Sequence, residues 1–564
     1  MLVLVLVGVS AAIYVGLVQW TASSSLVNER HGAYNSALAA AEGAAETTVS
    51  YMVRDFFIQS FDPTRLGTYT GRVPTNDWAA NYRFSDGAGN LNRTWVETGS
   101  LSMTTNLDTR FAGLYGLAYS CKVRANALER NTPYPAKAAV EENFRLASIP
   151  LFQFAIFYSL DLEINPGPAM RITGKVHSNA NLYTAPGNRL EYVDTVTAVG
   201  DIINDRDPDD PQYGLAKTVP IFDASTNAHV PALSMPVTSN NVPAMVRTIL
   251  DVPPFGEDPL SAMGKARLFN QVDLVVTTTT TGVSVKVGNW DLFAAVSPDL
   301  PGGYSFINTT NTFYDAREQK WTVVTDVDVA AFNRWTTNAG ATLNAQALSW
   351  IGHPLNSIYV DDQRMASGKL TAVRVMNGAT LPSGGLTVAT ALPLYVQGNF
   401  NAPAAALGTT NTAGTLPASL AGDAITILST DWRDTNSFSA YTARTAQDTT
   451  VNTALMAGIV PTSNVNGVKH YSGGVENFPR FLENWGGKTF TYNGSMVVMF
   501  ASKYATNFWN SPGANAALPT GGTYGAPNRN WAFDTNFKDY RRLPPATPQV
   551  RQLLRGQWSV VAAQ

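Results

Sequence analysis

Charge is scarce in this chain. Asp, Glu, Lys and Arg make up 14% of its 564 residues, against about 25% in ordinary soluble domains. The 39 bases and 42 acids nearly cancel, leaving a formal charge of -3. Such a surface has no broad attraction for a phosphate backbone, which excludes nucleic-acid binding as the main activity. Cysteine is scarcer still, with Cys121 alone. That excludes an internal disulfide framework and any multi-cysteine metal cluster. If the chain is exported, packing alone must hold it together.

Thr, Asn, Ser and Gly take the place of the missing charge, with 44 Gly and 32 Pro, while 12 Trp, 22 Tyr and 25 Phe supply material for cores. This composition points to a β-rich, turn-rich body and excludes a helical bundle or long disorder. The length suits three to five structural units of about 100–200 residues each.

The N-terminus departs from the rest. Residues 1–18 read MLVLVLVGVSAAIYVGLV, and no charge occurs before Glu29. A helix rising ~1.5 Å per residue over this run can cross a bilayer core of ~30 Å. No Lys or Arg precedes Arg30, although flanking bases normally set membrane orientation and open a signal peptide. The expectation is that a short basic leader has been removed and that residue 1 is a mature N-terminus. No proline interrupts the segment until Pro63, and Ala33, Ala37, Ala40, Ala41 and Ala44 form a small-residue stripe at helical spacing. Val49, Met52, Val53, Phe56 and Phe57 continue it as a larger apolar face. Small side chains permit close helix approach. A continuous helix of ~55 residues would be ~80 Å long.

An apolar N-terminal run, then Asn28–Arg30 in the pattern N-x-R, then ALAAAEGAAE at 37–46, together resemble the N-terminal region of PilX-type, type IV pilin-like proteins. The blocks IPLFQFAIFY, GKVHSN, TFYDAREQ and PLYVQGNF are similar to large PilX-like surface proteins of uncharacterised function. The resemblance implies insertion in the inner membrane by the apolar N-terminus, leader removal, handling by a pilus assembly machinery, and stacking of the N-terminal helices into an extracellular homo-oligomeric helical filament. It implies a cell-surface location, with a surface carbohydrate or a neighbouring or host cell as candidate partners, and no nucleic acid. One departure matters. Major pilins carry Glu as the fifth mature residue, and position 5 here is Val5. That places the standard docking contact in doubt and keeps a minor, tip-located adhesin as an alternative. A membrane-tethered carbohydrate-active enzyme is the other alternative. The expected assembly residues are Met1, Leu2, Leu4, Val5, Leu6, Val9, Ile13 and Leu17, with Ala33, Ala37, Ala40, Ala41 and Ala44 second.

Beyond residue 60 the pattern is one of short strands. Met170, Ile172, Gly174 and Val176 alternate, as do Val196, Ala198, Gly200 and Ile202, with Gly200 lying 26 residues after Gly174. Val373, Val375, the Asn377–Gly378 turn, 384–400 and 424–429 continue the theme. Short β-branched strands separated by Asn/Gly turns point to a parallel β-solenoid, with an antiparallel β-sandwich as the alternative. The fold class is therefore α+β. The divisions are a filament-core helix at 1–60, a β-rich region at 61–148, solenoid at 149–202 and 356–430, an inserted α+β lobe at 203–355, and a C-terminal packing region at 431–564. Within the lobe, 257–270 reads as helix, 272–277 and 283–287 as a hairpin, and Asp328 as the N-cap of another helix. Residues 149–158 read as a continuous apolar strand, 110–124 as a strand, and Phe478, Phe481, Leu482 and Trp485 as one helical face.

Chemistry is sparse. His31, His177, His229, His353 and His470 have no zinc-type spacing, and His177 reads as a hydrogen-bonding residue. The run NDRDPDDPQYG at 204–214 puts Asp205, Asp207, Asp209 and Asp210 close together, a candidate Ca²⁺ loop outside the EF-hand register. Asp326/Asp328 and Asp361/Asp362 are weaker acidic pairs. No Walker lysine or nucleophile elbow occurs, and no catalytic residue is assigned. The expectation is a structural subunit rather than an enzyme, with no cofactor beyond the candidate Ca²⁺.

Overall fold

The computed structural model describes residues 1–75, 77–105, 107, 111, 113–130, 132, 135–235, 237, 242–288, 305–365, 367–509 and 522–564. The chain forms two compact units, residues 1–149 with 551–564, and residues 150–550.

The first unit is built on one helix, Leu2–Phe57. No proline enters it, and it ends where Gln59 turns to the left-handed region at φ 58°. At ~1.5 Å per residue it is about 84 Å long. Its second half lies on a sheet. Strands Tyr82–Ser85, Trp95–Thr98 and Ser102–Thr104 pair antiparallel with the long strand Gly116–Glu129, which pairs antiparallel with Lys137–Pro150. Strand Gly116–Glu129 begins six residues later than the pattern of 110–124 suggests, and residue 110 lies outside the described residues. The C-terminal strand Gln549–Val561 adds to the far side of Lys137–Pro150, so the last strand of the chain completes the sheet that begins at Tyr82. Cys121, Val123, Ala125 and Ala127 point to the helix at alternate positions, and Phe144, Leu146 and Val140 come from the next strand.

The second unit is a parallel solenoid. Its first turns are three-sided. Leu162–Ile164, Leu182–Thr184 and Ile202–Ile203 stack in parallel on one side. Met170–Ile172, Leu190–Tyr192 and Ile221–Phe222 stack on the second. Ile156–Tyr158, Val176–Ser178, Val196–Ala198 and Thr226–Asn227 stack on the third. Leu182 lies beside Leu162, and Val196 beside Val176, so the turn is 20 residues long rather than the 26 that separate the two glycines. Gly200 instead donates its N–H to Ala180 O, one full turn back. The third turn is lengthened. Glu191 pairs with Ile221, 30 residues on, and the acidic run occupies the extra chain.

After residue 271 the solenoid is built mainly of two sheets. Leu274–Thr278, Ser357–Asp362, Leu386–Ala389, Ala418–Gly422, Thr449–Ile459 and Thr489–Ala501 run parallel in one. Lys320–Asp328, Leu370–Met376, Leu394–Gln397, Ile425–Leu428 and Arg480–Phe481 run parallel in the other. Thr489–Ala501 then pairs in parallel with Ile156–Tyr158. The chain thus starts mid-stack, coils to one end, passes to the other end and coils back to meet its own beginning. A buried asparagine stack steps along the turns: Asn452 Nδ2 donates to Asn401 O at 2.9 Å, and Asn493 Nδ2 to Asn452 Oδ1 at 2.7 Å. At the expected turn, Asn377 has φ 57°, and a Cβ on Gly378 would lie 2.4 Å from the Phe400 ring. Only glycine fits there.

Several expected elements differ. Residues 203–355 do contain helices and the 274–287 hairpin, but their strands join the solenoid's two sheets rather than a sheet of their own. Residues 289–304 lie outside the described residues. The helix expected at 257–270 is two short pieces, Ala262–Ala266 and Leu268–Gln271: Pro259 cannot sit in a helix interior, which delays the start, and Arg267 is extended at φ -67°, ψ 128° and divides the two. The helical face at 476–485 is a 3-10 turn and the strand Arg480–Phe481. Pro479 breaks that helix, although Phe478, Phe481, Leu482 and Trp485 are buried as their apolarity requires. A 3-10 turn at Leu151–Gln153 interrupts the apolar strand expected at 149–158. Asp328 does cap its helix, accepting from Ala331 N at 2.8 Å.

Candidate assembly helix

The helix Leu2–Phe57 changes character along its length. Met1, Leu2, Leu4, Val5, Leu6, Val9, Ile13 and Leu17 are all exposed, with Val5 and Leu6 at 62% and Ile13 at 59%. Val3, Val7, Val15 and Val18 are exposed on its other sides. The most apolar 18-residue window has mean hydropathy 2.3 and none of it is buried. By length and composition this part is able to cross a membrane. A soluble helix keeps one polar face toward water. This one is apolar all round and has no covering from its own unit. Trp20, 69% exposed, closes the run, and Thr21 then returns its hydroxyl to Leu17 O at 2.8 Å. An amphipathic ring at the end of an apolar helix suits the boundary between hydrocarbon and water. The sequence pattern alone did not single it out.

The second half is sealed. Ala37, Ala40, Ala41 and Ala44 have no exposed surface and, with Val49, Met52 and Phe56, form one core with the sheet. Ala33 is partly exposed. The small side chains expected to meet neighbouring helices instead let this helix lie close against its own strands. Thr48, fully buried in the same face, bonds the Thr94 hydroxyl at 2.9 Å. Polar contacts fix the rim. Arg555 Nη1, on the C-terminal strand, lies 2.6 Å from both Glu46 Oε1 and Glu142 Oε1. Burial pushes the Glu142 carboxyl above its ordinary value, and Arg555 draws it back. Arg551 reaches Phe57 O at 3.2 Å, and its desolvation lowers its pKa to about 10.

The other candidate residues, His31 excepted, belong to the second unit. In the acidic loop, Asp205 pairs with Lys217, and Asp210 pairs with Arg206 at 2.7 Å. Asp207 accepts from Asp209 N, and Asp210 from Gln212 N. Among the described residues no group of three or more His, Cys, Asp or Glu is placed to hold a metal. Asp326 binds Arg374 at 2.7 Å, and Asp362 binds Arg364 at 2.6 Å. His177 is buried, bonded to Thr197 Oγ1 at 2.8 Å and Asn179 Oδ1 at 2.9 Å, and stacked on Phe157. Its burial lowers its pKa to about 4. His31 is exposed on the helix, His229 approaches Asp201 at 3.4 Å, His353 approaches Asp273 at 4.0 Å, and His470 stacks on Phe508. A buried acid the sequence did not reveal is Glu163, whose desolvation raises its pKa to about 8. Its Oε1 accepts from Thr462 and Ser472, and its Oε2 has no partner among the described residues.

No family model matches the chain, and no curated protein matches it. Among solved structures, the competence-associated pilin ComZ from Thermus thermophilus aligns over 94% of this chain and 98% of its own, at 10% identity and a TM-score of 0.29. A likeness of that strength carries no weight for fold or function.

Proposed function

We propose that this chain is a pilin-like structural subunit. Its apolar half-helix is held in a membrane before assembly and is then covered by the same half-helices of other copies in an extracellular filament. The reading rests on one observation, an apolar and wholly uncovered half-helix continuous with a half that is locked to a folded sheet. Packing such rods together removes apolar surface from water or lipid without any salt bridge, at about 25 cal/mol per Å² where water is displaced. Residues 1–28 carry no charged side chain, which leaves apolar packing as the cohesive force along this run.

The test is imaging of sheared surface material from cells producing the chain, with gold-labelled antibody against the solenoid. Labelled fibres along their whole length support the filament reading. Label confined to fibre tips moves the chain to a tip subunit. Chain that floats with membranes and never enters the sheared fraction overturns assembly altogether.

A further inference from the structure

A groove of about 700 Å³ opens on the second unit. Its volume is in the range of ligand sites. Lys320, Lys369 and Lys503 line it. All three are exposed, and among the described residues none of their ammonium groups makes an ion pair. The Lys503 Nζ lies 5.3 Å from the centre of the Tyr504 ring, which also lines the groove.

The wall is rigidly built. Arg364 grips Asp362, with Nε to Oδ1 at 2.9 Å and Nη2 to Oδ2 at 2.6 Å, and also donates to Thr309 O at 2.5 Å. Thr371 Oγ1 closes back on Arg364 O at 2.5 Å. Asp251 is engaged by Arg247 at 2.5 Å. Arg364 and Asp362 cancel, while Arg247 is shared between Asp251 and the buried Asp423, so among the described residues the three exposed lysines outweigh the remaining carboxylates, of which Asp361 lines the groove without an ion pair. Burial pushes the Asp361 carboxyl up, and Gln363 donates to it at 2.6 Å. A groove with excess positive charge on a chain of net charge -3 selects an anion. One carboxylate beside the lysines selects further. It repels a continuous phosphate backbone but accepts hydrogen bonds from hydroxyls. Tyr504 offers a ring face, and Met365 and Val252 offer exposed apolar surface. Carboxylates, hydroxyls and flat apolar ring faces on one ligand describe an acidic sugar chain.

We infer that this groove binds an acidic oligosaccharide of the uronic-acid class, its carboxylates on Lys320, Lys369 and Lys503 and its hydroxyls on Asp361. The inference stands whether or not the chain forms filaments.

The test is fluorescence anisotropy on the full chain in detergent, with labelled hexagalacturonate as probe. Neutral maltohexaose and a single-stranded DNA dodecamer serve as comparisons. Hexagalacturonate is expected to bind and to weaken with added salt. The K320S/K369S/K503S variant should weaken it by roughly tenfold or more, because each ion contact is lost without touching a buried group. The single Lys369→Gln variant should give a smaller loss, and serves if the triple variant does not fold. Maltohexaose binding as tightly as hexagalacturonate overturns the inference, as does DNA binding more tightly. So does hexagalacturonate binding that is absent in the native chain or unchanged in the lysine variants.

Discussion

The outer and inner halves of the long helix share one backbone and one regular hydrogen-bond ladder, yet they answer to different solvents. The outer half carries no charged side chain up to Asn28, and its most apolar 18-residue window is not buried by its own unit. The inner half is narrow and alanine-rich on one side, and that side is wholly consumed by its own sheet. Side-chain size tracks the task. Leu, Val and Ile suit a partner supplied from outside, lipid or another rod, whereas Ala brings the helix close to strands whose place is already set. The helix is therefore anchored at one end and unfinished at the other.

The largest expected break in this contrast comes from a charge in the outer half. Asp at positions 5 and 6 costs up to about 2.5–3.5 kcal/mol each, the value at the centre of a membrane-buried helix. V5D/L6D should leave the membrane fraction and form no fibres, while its thermal unfolding, read by circular dichroism, stays at the native value. Normal membrane flotation by this variant would remove the functional distinction between the halves.

The converse change is smaller. Ala41→Leu forces a larger side chain against Val123 and its neighbours and should destabilise the first unit by about 1–3 kcal/mol, the usual cost of overpacking. Denaturant unfolding measures it, and membrane flotation should not change. Smaller again is Arg555→Ala. It leaves the nearly buried Glu142 without its cation. Because Arg555 itself is half exposed and its pairs are screened, the loss should be about 1 kcal/mol.

pH separates the halves without mutation. No Asp, Glu, Lys, Arg or His lies between Met1 and Asn28, so the part of flotation carried by these side chains should be flat from pH 5 to pH 8. The second unit should respond. Glu163 titrates at about 8 when folded and near its ordinary 4.5 when unfolded. The folded state thus binds the extra proton, and stability falls as pH rises between those values. Glu163→Gln should flatten that slope in a series of urea melts, and an unchanged slope would assign it to other groups.

The helix was legible in the sequence because its signals are local: an uncharged run, no proline before Pro63, and alanines at helical spacing. What those alanines face is not legible, since burial depends on strands that begin only at Tyr82 and Gly116. The solenoid's strands were visible as alternation, but its period was missed. Gly174 and Gly200 were matched to each other, whereas the true register is carried by stacked pairs such as Leu162 with Leu182 and Val176 with Val196. The prolines Pro166 and Pro186 repeat it in the sequence. The acidic run read as a ligand cluster because spacing hides partners. Lys217 and Arg206 neutralise two of its acids once the lengthened turn folds. The groove escaped notice for the same reason, since its lysines are 49 and 134 residues apart in sequence, at 320, 369 and 503. The closing strand Gln549–Val561 falls within the C-terminal packing region expected at 431–564, and nothing in its composition signals that it completes the first sheet.

The native thiol, Cys121, is buried, and burial raises its pKa to about 11, so single added cysteines report cleanly. Ile13→Cys and Ala41→Cys, each treated with a short bis-maleimide in assembled material, test the contrast directly. The account expects a ladder of covalent multimers from Ile13→Cys and monomer alone from Ala41→Cys. A ladder from Ala41→Cys, or monomer alone from Ile13→Cys in material seen to be fibrous, would contradict it.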